Sequence, residues 1–420
     1  MDARLPYGRE SLMELVAVDE SFRAEVRDYL EDLLSGEFRG LRGLGGTGSQ
    51  HEAFDERLAW ERRLARDGWV CIGWPEEHGG RNLPLIRQVI FHEEYARADA
   101  PARVGLIGEG LLGPTLMAFG TPRQQQRFLP PIRRGEELWC QGYSEPDAGS
   151  DLANVKTVAE RDGGDWVVTG QKVWTSLATW ADWCFLLCRT APATASSNDP
   201  SRAGPPRKHR GLSYLLVPMK QDGIEVRPIV QITGTSEFNA IFFDRARTDA
   251  PNVVGEVGGG WRVAMGTLEF ERGVFTLGQE IGFARELGRV IELGRDHGAT
   301  ADPVMRQRIS NAWIGLRIIR MNGLRTLTSL ARGTQPGPSA SITKLVWSVW
   351  HQRLGELAMD AAGGHAMLAG DGHGEGYPLS PLQRTFLFSR ADTIYAGSSE
   401  IQRNVIAERA LGLPREPSLG

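Results

Sequence analysis

The chain has few of the features that mark specialised classes of protein. Four cysteines in 420 residues are too few for a disulfide framework, and they predict a reducing compartment. The formal net charge is only -4, so we expect no basic surface for nucleic acid and no bias towards a membrane surface. No uninterrupted apolar run is long enough to span a bilayer, and the start MDARLPYGRESLMEL lacks the basic and apolar parts of a signal peptide. We therefore expect a cytoplasmic protein that binds neither nucleic acid nor membrane.

What the sequence does contain is a change of pattern along its length, which predicts a mixed α and β protein of three domains. Residues 1–137 are predicted to form an N-terminal helical domain, because apolar residues recur at helical spacing in RLAWERRLARDGW and IRQVIFHEEYARA. Residues 138–250 contain short runs rich in aromatic and β-branched residues, which predict a middle antiparallel β-barrel domain. Residues 251–420 return to helical spacing and predict a C-terminal helical bundle.

The predicted strands of the middle domain are DWVVTGQKVWTS, DWCFLLCRT, GLSYLLVPM, IEVRPIV and FNAIFF. Cys184 and Cys188 lie on one of these apolar strands, and we expect them to be core thiols rather than metal ligands. No group of residues has the carboxylate and histidine spacing of a metal site, so none is expected.

A polar turn near the C-terminus, Ala396-Gly397-Ser398-Ser399, joins two helix-like stretches. The tetrapeptide Ser399-Glu400-Ile401-Gln402 fits a capping box, Ser-x-x-Gln, at the start of the second helix. A helix N-terminus presents free N–H groups and a partial positive charge, which suit an anion or an electron-rich carbonyl. The turn is therefore either a binding element or simply a well-capped helix start.

Four motifs, in their order and spacing, resemble those of the acyl-CoA dehydrogenase family. They are GYSEPDAGSDLANVKT (142–157), GQKVWTSLATWADW (170–183), FERG (270–273) and IYAGSSEIQRN (394–404). The resemblance covers essentially the whole chain and includes the helical–β–helical architecture. It implies the acyl-CoA dehydrogenase fold, FAD as cofactor, and α,β-dehydrogenation of an acyl-CoA thioester, in which a base takes the α-proton and flavin N5 takes the β-hydride.

The resemblance also implies which residues contact the flavin. Tyr143, Ser144 and Ser150 would lie along the flavin and the acyl thioester. Trp174 and Ser176 would lie against the other side of the ring, with Ser176 near N5; alternatively, Trp174 is a core residue of the β domain. Further contacts are implied for the glycine-rich stretch DAAGGHAMLAGDG and for the C-terminal turn, namely Gly363, Gly364, Ser398 and Glu400.

The base requires a carboxylate, because the α C–H is very weakly acidic and a buried carboxylate has a raised proton affinity. Many family members carry this carboxylate directly after the tyrosine of the C-terminal motif, where this chain has Ala396. Others place a glutamate before an arginine on a bundle helix, and Glu271 and Arg272 match that position. The resemblance thus implies Glu271 as base, Arg272 beside it, and the backbone N–H of Ala396 as a donor to the thioester oxygen. Glu269 would face the CoA side, or else form an ordinary surface pair with Arg272.

Partners follow from the same resemblance. An acyl-CoA substrate, an electron-transfer flavoprotein as acceptor, and a homodimer or homotetramer with FAD at the subunit boundary are implied. The arginine motif that grips the FAD diphosphate has no clean match; Arg295 and Arg306 are candidates. Two alternatives stay open: a flavin-binding partner subunit of a heteromeric dehydrogenase, and an oxygen-using oxidase or monooxygenase on the same fold.

Overall fold

The computed structural model of the protein describes residues 19–191, 208–270, 275–331, 337, 339–368 and 377–415. Its N-terminal part is helical, with α1 (Glu20–Ser35), α2 (Phe54–Arg66), α3 (Leu85–Arg97), α4 (Gly113–Phe119) and α5 (Pro122–Arg133). The apolar faces of these helices share one core, in which the rings of Trp69 and Phe91 stack with centroids 5.4 Å apart.

A π-helical turn over Gly108–Leu112 leads directly into α4, and buried ion pairs hold it. Arg103 donates to both carboxylate oxygens of Glu61, at 2.6 and 2.7 Å, and also to Glu109 on the π-helical turn. Glu109 accepts in addition from the Cys71 N–H at 2.8 Å. Because removing one charge would leave another buried and unpaired, this cluster fixes the π-helical turn against the rest of the helical part.

The middle part is a sheet, of eight strands within the described residues. They are β1 (Trp139–Gly142), β2 (Val158–Asp162), β3 (Asp165–Ser176), β4 (Trp183–Arg189), β5 (Leu212–Pro218), β6 (Ile224–Ile229), β7 (Phe238–Asp249) and β8 (Val253–Val254). The order is β6-β7-β3-β2-β4-β5-β8, with β1 beside β4. Neighbours along this order are antiparallel except β2 and β4, and β1 also runs parallel to β4.

The C-terminal part returns to helix, with α6 (Gly260–Phe270), α7 (Phe275–Asp296), α8 (Pro303–Ala331), α9 (Ser339–Ala362), α10 (Pro381–Phe388) and α11 (Ser399–Val405). Helices α7, α8 and α9 pack around a core that includes Phe283, Leu316 and Leu354. The Trp350 Nε1–H of α9 donates to the Ala312 carbonyl oxygen of α8 at 2.8 Å, and this bond opposes sliding of one helix along the other.

The fold class is confirmed, and each of the five runs predicted as a strand overlaps one. The sheet is not wholly antiparallel as predicted, because β1 and β2 both run parallel to β4. The structure is mixed α and β, with helical N- and C-terminal parts around a central sheet, and β3 spans the same residues as the run DWVVTGQKVWTS. Cys184 and Cys188 are fully buried, as expected of core thiols. Among the described helices, none combines the length and the apolar character needed to cross a membrane. The boundaries of the three domains stay a prediction.

Candidate active site

A buried ion pair joins the loop after β1 to the middle of β3. Lys172 on β3 is 0% exposed, and its ammonium group donates to Glu145 Oε1 at 2.8 Å. It also donates to the carbonyl oxygens of Tyr143 and Leu187, at 2.9 and 2.7 Å. Glu145 accepts in turn from two backbone N–H groups where the loop rejoins the sheet. The pair therefore fixes Tyr143 and Ser144 beside β3.

Both members of this pair are charged. Burial would raise the pKa of Glu145, but Lys172 and the surrounding N–H donors outweigh burial and lower it. Burial lowers the pKa of Lys172, while the Glu145 carboxylate opposes that change. The ammonium form is the one that fits, because its three N–H donors match the three oxygens around Nζ.

The strand β3 bulges at Trp174, and the bulge turns this side chain out of the sheet. The pairing of β3 with β7 shifts between Lys172 and Thr175, and Trp174 has a left-handed φ of 59°. Its side chain is 59% exposed, so the alternative prediction of a core tryptophan is wrong. A bulky residue in this strained conformation is uncommon away from functional sites. The contact of Trp174 with a flavin stays a prediction.

Aromatic side chains connect this bulge to the C-terminal turn. Trp174 meets Phe238 edge to face with ring centroids 6.3 Å apart, and Phe238 stacks on Phe388 at 6.4 Å. Phe388 in turn meets Tyr395 at 6.5 Å. Phe238 also lies opposite Ser176 in the ladder between β3 and β7. The structure thus brings two of the motifs quoted from the sequence to one place, although they lie far apart along the chain.

The turn after Tyr395 presents unused backbone donors. Ala396 and Gly397 are left-handed, with φ of 52° and 86°. Within the part of the chain that the structure describes, the N–H groups of Ala396, Gly397 and Ser398 donate no hydrogen bond. Gln402 Nε2 donates to the carbonyl oxygens of Ala396 and Gly397, at 3.1 and 3.3 Å, so the carbonyl side of the turn is tied to α11. Backbone N–H groups without an internal partner carry partial positive charge and are available to bind an oxyanion.

The capping box predicted at Ser399 is wrong. Ser398 is the cap of α11, because its hydroxyl accepts from the backbone N–H three residues later at 3.4 Å. Ser399 is already helical, and its hydroxyl is buried without a partner among the described residues. Gln402 faces the turn carbonyls instead of the cap N–H. The Glu400 carboxyl, whose pKa is lowered by its own backbone N–H and by Ser398, stays at the exposed N-terminus of the helix.

Helix α6 leads to the predicted base. It is described through Phe270, and Glu271 and Arg272 both lie outside the described residues. Glu269 is described and is exposed. Thr267 of α6 and Thr115 of α4 have their hydroxyl oxygens 2.8 Å apart in buried surroundings, so α6 is anchored to α4 near its described end. The roles of Glu271, Arg272 and Glu269 stay predictions.

Other predicted residues stand apart from this cluster. Ser150 is exposed on the loop between β1 and β2. Gly363 and Gly364 directly follow α9, and no described atom lies near the position of a Cβ on either of them. Arg306 donates to two backbone carbonyl oxygens on the turn before α8, and Arg295 is exposed. Binding of the outer parts of a dinucleotide by these residues stays a prediction.

The sequence divides among three family models in order. They are Acyl-CoA dehydrogenase, N-terminal domain, over residues 18–136; Acyl-CoA dehydrogenase, middle domain, over residues 140–246; and Acyl-CoA dehydrogenase, C-terminal domain, over residues 258–411. The chain belongs to the acyl-CoA dehydrogenase family. It is therefore an enzyme, an oxidoreductase that acts on CH–CH groups, in a family of flavoproteins.

Individual relatives agree with this family. Acyl-CoA dehydrogenase IpdE1 of Mycobacterium tuberculosis is 59% identical over 397 residues, which cover 94% of this chain and 98% of the relative. Acyl-CoA dehydrogenase IpdE1 of Mycolicibacterium smegmatis is 54% identical over 407 residues, with coverage of 94% and 98%. Among solved structures, the Tcur3481-Tcur3483 steroid ACAD has a TM-score of 0.79 at 28% identity, covering 99% of this chain and 100% of that one. The ChsE4-ChsE5 complex from Mycobacterium tuberculosis has a TM-score of 0.76 at 29% identity, with coverage of 98% and 100%.

Sequence reasoning missed the residues that support the site in this acyl-CoA dehydrogenase. Lys172 and Glu145 sit inside quoted motifs, yet a charged residue on a strand is ordinarily expected to face solvent. The sequence indicated Phe238 only as an apolar residue of a predicted strand and Phe388 only as a residue of the predicted helical bundle; it did not indicate that they meet. A usable signal existed for Glu145 and Lys172: opposite charges in two neighbouring motifs allow a pair between a loop and a strand.

Proposed function

We propose that this acyl-CoA dehydrogenase uses FAD to convert an acyl-CoA thioester to its α,β-unsaturated product, with Glu271 as the base. The observation that carries the proposal is the free N–H of the left-handed Ala396, held beside the aromatic surface that begins at the exposed Trp174. A carbonyl oxygen that gains negative charge in the reaction needs such a fixed donor. The methyl side chain of Ala396 takes no part in proton transfer.

The described residues fit a flat, partly apolar ring edged with carbonyl groups. Trp174 offers an exposed indole face, and the turn offers the N–H groups of Ala396, Gly397 and Ser398. Trp174 and this turn would hold the isoalloxazine of FAD. Lys172 ties the backbone of Tyr143 to β3, but the Tyr143 ring is only 5% exposed, so its contact with the flavin stays a prediction. When bound, FAD supplies the acceptor for the β-hydride.

Proton abstraction falls to Glu271 in this proposal. Its place directly after α6 is the one at which some members of the family carry their base, and Ala396 occupies the other. Removing the α-proton raises the negative charge on the thioester oxygen, and the Ala396 N–H stabilises that charge.

The test is the variant Glu271→Gln, which keeps the size of the side chain and removes the proton acceptor. We expect FAD content near that of the parent protein and a rate of flavin reduction at least ~10²-fold lower, as for loss of a general base. Stopped-flow absorbance at the flavin band measures that rate directly. Glu256→Gln is the control, because Glu256 is an exposed glutamate on the turn before α6. Equal rates for parent and Glu271→Gln would refute the assignment.

The acyl group is proposed from the neighbours. The Tcur3481-Tcur3483 structure is described as a steroid ACAD, and it matches this chain over nearly its whole length. We therefore propose a bulky, steroid-derived acyl-CoA as substrate. A panel of butanoyl-, octanoyl- and steroid-carboxylate CoA thioesters, each added anaerobically, tests this: the steroid thioester should bleach the flavin fastest, and faster bleaching by a linear chain would contradict the proposal.

Assembly offers a second candidate role. The ChsE4-ChsE5 and Tcur3481-Tcur3483 structures are named for two chains each, which favours a paired subunit over the homodimer or homotetramer. Light scattering and flavin content of the chain purified alone separate these cases. A homomer with stoichiometric FAD supports the simpler assembly, and a flavin-free chain that gains FAD only with a second subunit supports the heteromer.

Comparing reoxidation of the reduced enzyme by air and by an electron-transfer flavoprotein identifies the acceptor.

A further inference from the structure

The imidazole of His351 lies between two carboxylates in the interior of the C-terminal part. His351 is on α9 and is only 9% exposed. Its Nδ1 is 2.5 Å from Asp392 Oδ2, and its Nε2 is 2.8 Å from Glu286 Oε2 of α7. Carboxylate oxygens are acceptors, so both ring nitrogens carry a proton when both contacts are made. The side chain is then an imidazolium that bridges α7, α9 and the segment before the active-site turn.

Asp392 also contacts the residue that precedes the turn. Its second carboxylate oxygen accepts from the Tyr395 hydroxyl at 2.7 Å, and its backbone carbonyl accepts from Lys344 Nζ. Tyr395 directly precedes Ala396, whose left-handed conformation is disfavoured for a residue with a Cβ. A non-glycine residue stays in this region only when its neighbours hold it there. Asp392 thus links His351 to Tyr395, the residue next to Ala396. The contact of Gln352 with Thr393 lies alongside this link.

We propose that His351 is a positioning residue for this enzyme: as an imidazolium bound to Glu286 and Asp392, it holds the Tyr395–Ser398 turn so that the Ala396 N–H points at the thioester oxygen. His351 touches no substrate and acts through Asp392 and Tyr395. The proposal rests on the proposed function, because the turn matters for catalysis only if it binds the thioester.

Charge is what allows both contacts at once. A neutral imidazole has one N–H and donates to one carboxylate only, which would release either Glu286 or Asp392. The titratable groups facing the site are Glu286 from α7, Asp392 and the neutral Tyr395 from the turn segment, and Lys344 from α9 itself. Arg390, which lies nearby, is instead paired with Glu356. Burial alone would lower the pKa of His351, but its hydrogen bonds with Asp392 and Glu286 raise it to about 9.

The first experiment compares the parent with His351→Gln, which keeps one side-chain donor and loses the charge. Hydrogen–deuterium exchange within residues 393–402 is measured on the full chain at pH 7 without added substrate. The amides of Ile394, Tyr395 and Ser399, which are hydrogen-bonded in the parent, should exchange at least ~10-fold faster in the variant. Flavin reduction by the acyl-CoA that reduces the parent fastest should be ~10-fold slower or more, with acyl-CoA affinity little changed, because a misdirected donor weakens the transition state more than binding. His78→Gln, a histidine of the N-terminal part, is the control and should change neither.

A second variant tests the route through Asp392. Asp392→Asn should reproduce both effects, and the double variant should be no worse than either single one, since both remove the same connection. Additive effects of the two substitutions would overturn the route. So would normal exchange of the turn in His351→Gln, or faster exchange together with an unchanged rate of flavin reduction.

The parent protein alone provides a test that needs no substitution. Protection of residues 393–402, divided by the intrinsic exchange rate and compared with that of α1, should fall as the pH rises from about 8 to 10. Constant protection over this range would overturn the requirement for charge. If no acyl-CoA reduces the parent's flavin, the proposed function fails, whereas the exchange measurements still decide whether His351 holds the turn.

Discussion

The two sides of the candidate active site are supported in different ways. On the sheet side, Lys172 and Glu145 are 0% and 6% exposed, and their partners belong to β3, β4 and the loop next to them. On the helix side, His351 and Asp392 connect α7, α9 and the turn, and the chain of contacts ends at Tyr395, which is 38% exposed. The first support is local and enclosed, whereas the second spans separate helices and reaches the surface.

This difference indicates a division of labour. The sheet side is an inflexible surface, because its ion pair cannot move without exposing a buried charge. The helix side depends on the relative placement of three segments and on an imidazole, the side chain whose ordinary pKa lies nearest neutral pH. We therefore expect substitutions on the sheet side to act mainly on stability, and substitutions on the helix side to act mainly on rate and on pH dependence.

The largest expected effect comes from breaking the sheet-side support. Lys172→Met fills the same space but leaves Glu145 buried without its cation, so we expect the free energy of unfolding to fall by about 3–5 kcal/mol. Urea unfolding followed by tryptophan fluorescence measures this change. Lys156→Met is the control: Lys156 pairs with Asp147 on the surface, and its loss should leave the unfolding midpoint nearly unchanged. Equal midpoints for all three proteins would show that the buried pair supports nothing.

The next largest effect is expected from removing the N–H donor of Ala396 on the helix side. Proline at position 396 removes the N–H and also forces φ to about -65°, against the 52° observed for Ala396. Ala396→Pro should therefore slow flavin reduction by ~10²–10³-fold at matched FAD content. Ala396→Ser should retain most of the rate, since only the backbone contributes.

An amide-to-ester replacement isolates the N–H itself. Lactic acid in place of Ala396 keeps the methyl group and the backbone path and removes only the donor, so a loss close to that of Ala396→Pro is expected. A well-folded ester variant that reduces its flavin at the parent rate would show that the thioester oxygen is not bound at this position.

A smaller effect should appear in the pH dependence of stability. The pKa of His351, about 9 when folded, lies above its ordinary value of 6.5, so the folded protein holds this proton more tightly. The resulting stabilisation is complete below about pH 6.5 and is lost as the pH rises through about 9, with an upper bound of about 3 kcal/mol. The difference in unfolding free energy between parent and His351→Gln should therefore shrink from pH 6 to pH 9.5. A difference that does not change with pH would contradict the raised pKa.

The sequence predicted the secondary-structure elements and the motifs of the site, but not the long-range contacts that position the site residues. Short runs rich in aromatic and β-branched residues sufficed to predict β3 and β5, and the quoted motifs predicted that Trp174 and Ala396 belong to one kind of site. The contacts that position them join residues far apart along the chain, such as Glu286 with His351, and no local periodicity encodes such a pair. Lys172 and His351 are also buried although charged residues ordinarily face solvent, so no sequence pattern indicated that they belong to the core.

The smallest expected effect separates two adjacent serines at the end of the turn. Ser398 caps α11 by accepting a backbone hydrogen bond, so Ser398→Ala should destabilise the protein by about 1 kcal/mol. The Ser399 hydroxyl is buried without a partner among the described residues, so Ser399→Ala should be neutral or slightly stabilising. Thermal unfolding at matched flavin content compares the two variants. If Ser399→Ala were the more destabilising variant, Ser399 would be the cap and the helix would start one residue later. Gln402 would then be expected to bind the N–H of the cap residue instead of the turn carbonyls.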